Sequence, residues 1–83
     1  MNDPRQVIHR LKFSRHQGEV FIYAGAIQSV RKDGNTEIAV SIRGSMTLYV
    51  EAREGLLTEL LHSMADCSAF NDAEAAQAAE AIQ

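Results

Sequence analysis

Residues 37–52 read Glu-Ile-Ala-Val-Ser-Ile-Arg-Gly-Ser-Met-Thr-Leu-Tyr-Val-Glu-Ala. Apolar side chains occupy every second position, at Ile38, Val40 and Ile42 and again at Met46, Leu48 and Val50. That period belongs to a strand with one buried face. Held straight, the run would reach about 50 Å at roughly 3.3 Å per residue, too long for a domain of 83 residues, so the chain bends at Gly44-Ser45. A three-residue connection over Arg43, Gly44 and Ser45 pairs Ile42 with Met46 and keeps both apolar sets on one face, whereas a two-residue turn mixes them. A continuous bulged strand is the alternative geometry.

Upstream, residues 19–30 are rich in β-branched and aromatic side chains and lead into Lys32-Asp33-Gly34-Asn35, a hairpin signal. With Gly34 in the left-handed position, the expected pairing sets Ala26 opposite Val40 and Ala24 opposite Ile42. The core face then collects Val20, Ile22, Ala24, Ala26, Ile38, Val40, Ile42, Met46, Leu48 and Val50, and the reverse carries Phe21, Tyr23, Ile27, Ala39 and Tyr49. Gly25 sits inside the expected strand, where a bulge is the default explanation and a close backbone or a ligand the alternatives. Val7 to Phe13 suits an alternating strand through Val7, Leu11 and Phe13, while Asp3-Pro4 followed by Val7, Ile8 and Leu11 also suits a short capped helix. Read as a strand, it turns at Ser14 to Gly18 into the next one.

After Ala52 the spacing changes to three and four, at Leu56, Leu57, Leu60, Leu61 and Met64, the stripe of an amphipathic helix that covers the sheet. Asn71 and Glu74 stand at capping-box spacing before an alanine-rich run, which predicts a second helix over 71–83. Alanine favours helix but buries little area, so this tail is expected to dock loosely. The expected fold is α+β in two layers: a three- or four-stranded antiparallel meander against one amphipathic helix, with an alanine-rich C-terminal helix, in one domain spanning residues 1–83.

Composition supports a folded domain, with 46% hydrophobic and 23% charged residues. One cysteine, Cys67, permits no internal disulfide, and no apolar run approaches the roughly 18 residues that span a bilayer. With no apolar leader after Met1, a soluble cytoplasmic protein is expected. Residues 1–32 hold six Lys and Arg against two acids, and residues 33–83 hold two against nine. This polarity suits attraction between the halves, or a basic half that meets an acidic partner.

The chemistry-bearing residues are scattered. Cys67 stands five residues from His62, too little to specify a nucleophile and its base, and is better read as a small residue in a helix connection. His9, His16 and His62 have no metal-ligand spacing, and the glycines form no phosphate loop. Glu51, Glu54 and Glu59 flank a helix start, where acids complement the dipole. No catalytic, cofactor or metal residues are expected. The expected role is a noncatalytic interaction or assembly module, a homodimer formed through Phe21, Tyr23, Ile27 and Tyr49. The alternative is a single-stranded nucleic-acid-binding module that uses Arg10, Lys12, Phe13, Arg15 and His16 with the sheet aromatics.

Overall fold

In the computed structural model, which describes residues 2–82 with side chains through residue 80, five strands precede a single long helix. They are β1 (Ile8–Lys12), β2 (Glu19–Tyr23), β3 (Ile27–Asp33), β4 (Glu37–Ile42) and β5 (Thr47–Glu51), followed by α1 (Leu56–Ile82). Two short 3₁₀ turns, Pro4–Gln6 and Ala24–Ala26, precede β1 and separate β2 from β3. The fold is α+β, with the 7–13 segment a strand. The meander is divided into a two-stranded sheet, β1-β2, and a three-stranded sheet, β3-β4-β5, both antiparallel. The Ala24–Ala26 turn joins them, as does a bridge of Phe13 to Val50 in which Ser14 N–H donates to Tyr49 C=O at 3.0 Å.

The β4-β5 hairpin has the expected three-residue turn. Ser45 N–H donates to Ile42 C=O and Ile42 N–H to Met46 C=O, and Gly44 takes φ +71°, which a side chain would disfavour. Met46 nevertheless lies outside the core, 65% exposed, because it overhangs the hairpin's end.

The β3-β4 register departs from expectation. Val30, rather than Ala26, faces Val40, and Ile27, rather than Ala24, faces Ile42. The turn occupies residues 34–36, between Asp33 and Glu37, later than the expected pairing requires, and this moves Val30 opposite Val40. The 3₁₀ turn and a shift of register between Ile27 and Ser29 then break the alternation expected over 19–30. Ile22, Ala24 and Ile27 therefore all point inward. Ile27, expected on the outer face, is 2% exposed in the core. Ala39 keeps its outward parity yet is buried, flanked in register by Arg31 and Tyr49. Gly25 forms no bulge. It occupies the 3₁₀ turn with Arg5 against it, so that a Cβ built on Gly25 would stand 2.8 Å from Arg5 Cβ.

The core gathers Leu11 and Ile22 from one sheet, Ile27, Ile38, Val40 and Val50 from the other, and Leu56 and Leu60 from α1. Leu56 and Leu60 lie one turn apart on the helix face that closes over both sheets. Each such side chain contributes about 1.5–3 kcal/mol on burial.

The two expected helices are one, and Cys67 lies buried within it rather than in a connection. Asn71 and Glu74 cap nothing. Their side chains accept hydrogen bonds from the Arg5 guanidinium, at 3.1 Å each, while Phe70 lies beneath it with 4.7 Å from the guanidinium carbon to the ring centroid. Beyond this clamp the tail packs on nothing among the described residues, and positions 71–80 are exposed. The molecule is accordingly elongated, 52 × 23 × 21 Å.

Candidate interaction site

The β1-β2 hairpin buries His9, Leu11 and Ile22 on one side and presents Ile8, Arg10, Lys12, Glu19, Phe21 and Tyr23 on the other. Register places Ile8 directly opposite Tyr23 and Arg10 opposite Phe21. Phe21 is 64% exposed, and Tyr23 and Ile8 are each 53% exposed. Three large hydrophobic side chains thus share the solvent side of one small sheet. Phe21 and Tyr23 stand as the sequence placed them. Ile8 was missed because the 7–13 segment was ambiguous between helix and strand, although the alternation of Leu11 and Phe13 sets Ile8 on the opposite face.

The other two expected contact residues lie elsewhere. Ile27 is in the core. Tyr49 lies on the outer face of the three-stranded sheet beneath Arg15, whose guanidinium carbon is 3.6 Å from its ring centroid. Arg15 also bonds Glu37 at 2.9 Å and lies 3.7 Å from Asp33. The Ser14 hydroxyl donates to the same Glu37 carboxylate. The Arg15 guanidinium, then the Ser14 hydroxyl, hold the Glu37 carboxyl below its ordinary range, and Glu37 in turn raises Arg15. This cluster fastens the β1-β2 loop to the second sheet.

Three of the six cations of the basic N-terminal half, Arg5, Arg10 and Arg15, are paired with carboxylates. Arg5 pairs with Asp3 at 2.7 Å and Glu74 at 3.1 Å, and Arg10 pairs with Glu19 at 2.6 Å. These bonds lower the Asp3 carboxyl and raise both guanidinium groups. Four of the five residues of the nucleic-acid alternative, Arg10, Lys12, Phe13 and His16, line one open surface depression, with Glu19 and Glu51 beside them. Phe13 and His16 stack at 4.2 Å between centroids. Arg15 belongs to the Tyr49 cluster instead.

Elsewhere the polar residues are explained by structure. His9 Nε2 and Ser63 Oγ lie 2.9 Å apart and join β1 to α1, a pairing of residues far apart in sequence that no local pattern signals. Burial, first of all, pushes the Cys67 thiol up, away from thiolate chemistry, and His62 is on the exposed side of α1. Glu59, in the first turn of α1, bonds Arg53 at 2.9 Å. Among the described residues no three His, Cys, Asp or Glu side chains cluster as metal ligands, and no helix is long and apolar enough to cross a membrane. No protein-family model, curated protein or solved structure matches the chain.

Proposed function

We propose that this chain is a noncatalytic assembly module that self-associates through the outer face of the β1-β2 hairpin. The observation that carries the reading is the joint exposure of Phe21, Tyr23 and Ile8 on one side of a two-stranded sheet. Apolar side chains scattered singly need no explanation, but three adjacent ones on a rigid surface favour a partner. The ion pairs made by the N-terminal half support protein contact over polyanion binding, since Arg5 and Arg15 already meet Glu74 and Glu37 of the acidic half and Arg10 meets Glu19.

Light scattering at tens of micromolar tests the reading. The wild type is expected to be a dimer or larger, and Phe21→Ser with Tyr23→Ser to shift it to smaller species. At about 1.5 kcal/mol for each half-exposed ring newly buried, losing two rings from each copy weakens association about ten-thousandfold. A wild-type monomer refutes the proposal.

A second reading rests on the depression that holds Arg10, Lys12, Phe13 and His16. Stacked rings beside two cations suit a single-stranded oligonucleotide, and such binding weakens with salt. Glu19 and Glu51 in the same depression oppose it. Binding at low salt that Arg10→Ala with Lys12→Ala abolishes would establish this reading, and no binding at high micromolar protein would remove it.

A further inference from the structure

Strand β1 has one edge against β2 and another that is open along most of its length. Phe13 N–H donates to Gly18 C=O, and Ala24 N–H donates to Val7 C=O. In an antiparallel ladder, alternate residues bond the same neighbour, so the main-chain groups of Val7, His9, Leu11 and Phe13 face β2. Those of Ile8, Arg10, Lys12 and Ser14 face the other way. Ser14 on that side meets β5 through Tyr49. Beyond the Phe13 to Val50 bridge the two strands diverge, and nothing among the described residues bonds the main chain of Ile8 or Arg10 on the open side. Open surface depressions lie on either side of this edge, one toward His9, Thr58 and His62 and the other toward Ala52 and Arg53.

We infer that this edge pairs with the same edge of a second copy, as an antiparallel β1-β1 contact centred on His9. Main-chain chemistry and charge select the occupant and the register. Centring on His9 sets Ile8 opposite Arg10 of the second copy, twice over, and uses the four unpaired groups of each strand, Ile8 and Arg10 N–H and C=O. Centring on Arg10 sets two cations directly opposite, which is destabilising. Centring on Ile8 sets Arg10 against Gln6, which lies in the 3₁₀ turn with its N–H already donated to Asp3 C=O.

In the favoured register each Arg10 stem lies over the exposed Ile8 of the other copy, while its guanidinium stays with Glu19. The charge that would guard this edge against pairing is thus already met within the chain. Two hairpins become one four-stranded sheet. The contact is made by main-chain groups, so it is independent of the exposed Phe21 and Tyr23 rings.

Cysteine cross-linking tests both the edge and the register. Opposed residues in a hydrogen-bonded antiparallel pair have Cα atoms about 5.5 Å apart, within the range of a disulfide. Identical residues two positions off register are about 8–9 Å apart, beyond it. In a Cys67→Ala background, Ile8→Cys protein mixed with Arg10→Cys protein under mild oxidation is expected to give a covalent heterodimer, and neither alone to cross-link. The heterodimer is also expected to form when both partners carry Phe21→Ser and Tyr23→Ser. Cross-linking of either variant alone, or none in the mixture while light scattering still shows a dimer, overturns the edge pairing and leaves the outer-face proposal standing. As a check that the fold is intact, Arg10→Pro removes an N–H that faces away from β2 and leaves Ile8, Phe21 and Tyr23 in place, so it is expected to unfold cooperatively yet lose the contact.

Discussion

Replacing Gly25 by alanine tests the closest approach in the fold. Its φ lies outside the left-handed region, so the backbone tolerates a side chain there, and the obstacle is Arg5. An added methyl would meet Arg5 Cβ at 2.8 Å and Arg5 C=O at 3.3 Å. The first is shorter than side-chain carbons tolerate, and Cβ is the part of Arg5 least able to move. Overpacking of this kind costs about 1–3 kcal/mol. Against it stands a gain of about 0.4–1 kcal/mol from the reduced freedom of the unfolded chain. The net expectation is a loss of about 0.5–2 kcal/mol from a total of about 4–12 kcal/mol for a chain of this size. Urea denaturation should show a lower midpoint at unchanged slope. In an Arg5→Gly background the obstructing carbon is gone and only the main-chain oxygen at 3.3 Å remains, so the same Gly25→Ala change should cost less. A loss of equal size in both backgrounds, or none in the wild type, would refute the argued contact.

The carboxylate of Glu37 is held below its ordinary range by Arg15 and then Ser14, so its stabilisation is present above about pH 4.3, the unfolded value, and fades as pH falls through the lower folded value. Thermal melts of wild type and Glu37→Gln should therefore differ near pH 6 and converge toward pH 3; a gap that widens in acid would contradict the assignment. Deleting residues 75–83 leaves the Arg5 clamp intact and, among the described residues, removes only exposed helix over 75–80, so unfolding should stay cooperative with a midpoint lowered by less than about 4 °C. Loss of cooperativity would mean that the tail packs on the domain.

Local chemistry made the turns legible and left their distant partners hidden. Gly34 and Gly44 announced left-handed turns, and alternation through Ile42 and Met46 correctly set the β4-β5 register. The break at Ala24–Ala26 carried the same Ala-Gly-Ala sequence that a bulged strand would, and what holds it as a turn is distant in sequence: Arg5 against Gly25 and the Arg43 N–H donated to Ala26 C=O. Ile27 crossed into the core for that reason, and one of the four expected contact residues went with it. Asn71 and Glu74 imitated a capping box because a side chain that accepts from Arg5 looks, in sequence, like one that accepts from its own backbone. The exposed face at Phe21 and Tyr23 was legible through parity alone, since β2 has no irregularity to reset it.

The bridge between Phe13 and Val50 also bears on how the chain finds its fold. Each hairpin closes over a few residues, but this bridge joins positions 37 apart in sequence. Closing the larger loop carries a greater entropic penalty, and local pairings form in microseconds. On this ground the hairpins are expected to precede the bridge, and the slower step is expected to be the meeting of two preformed sheets that brings Ser14 to Tyr49.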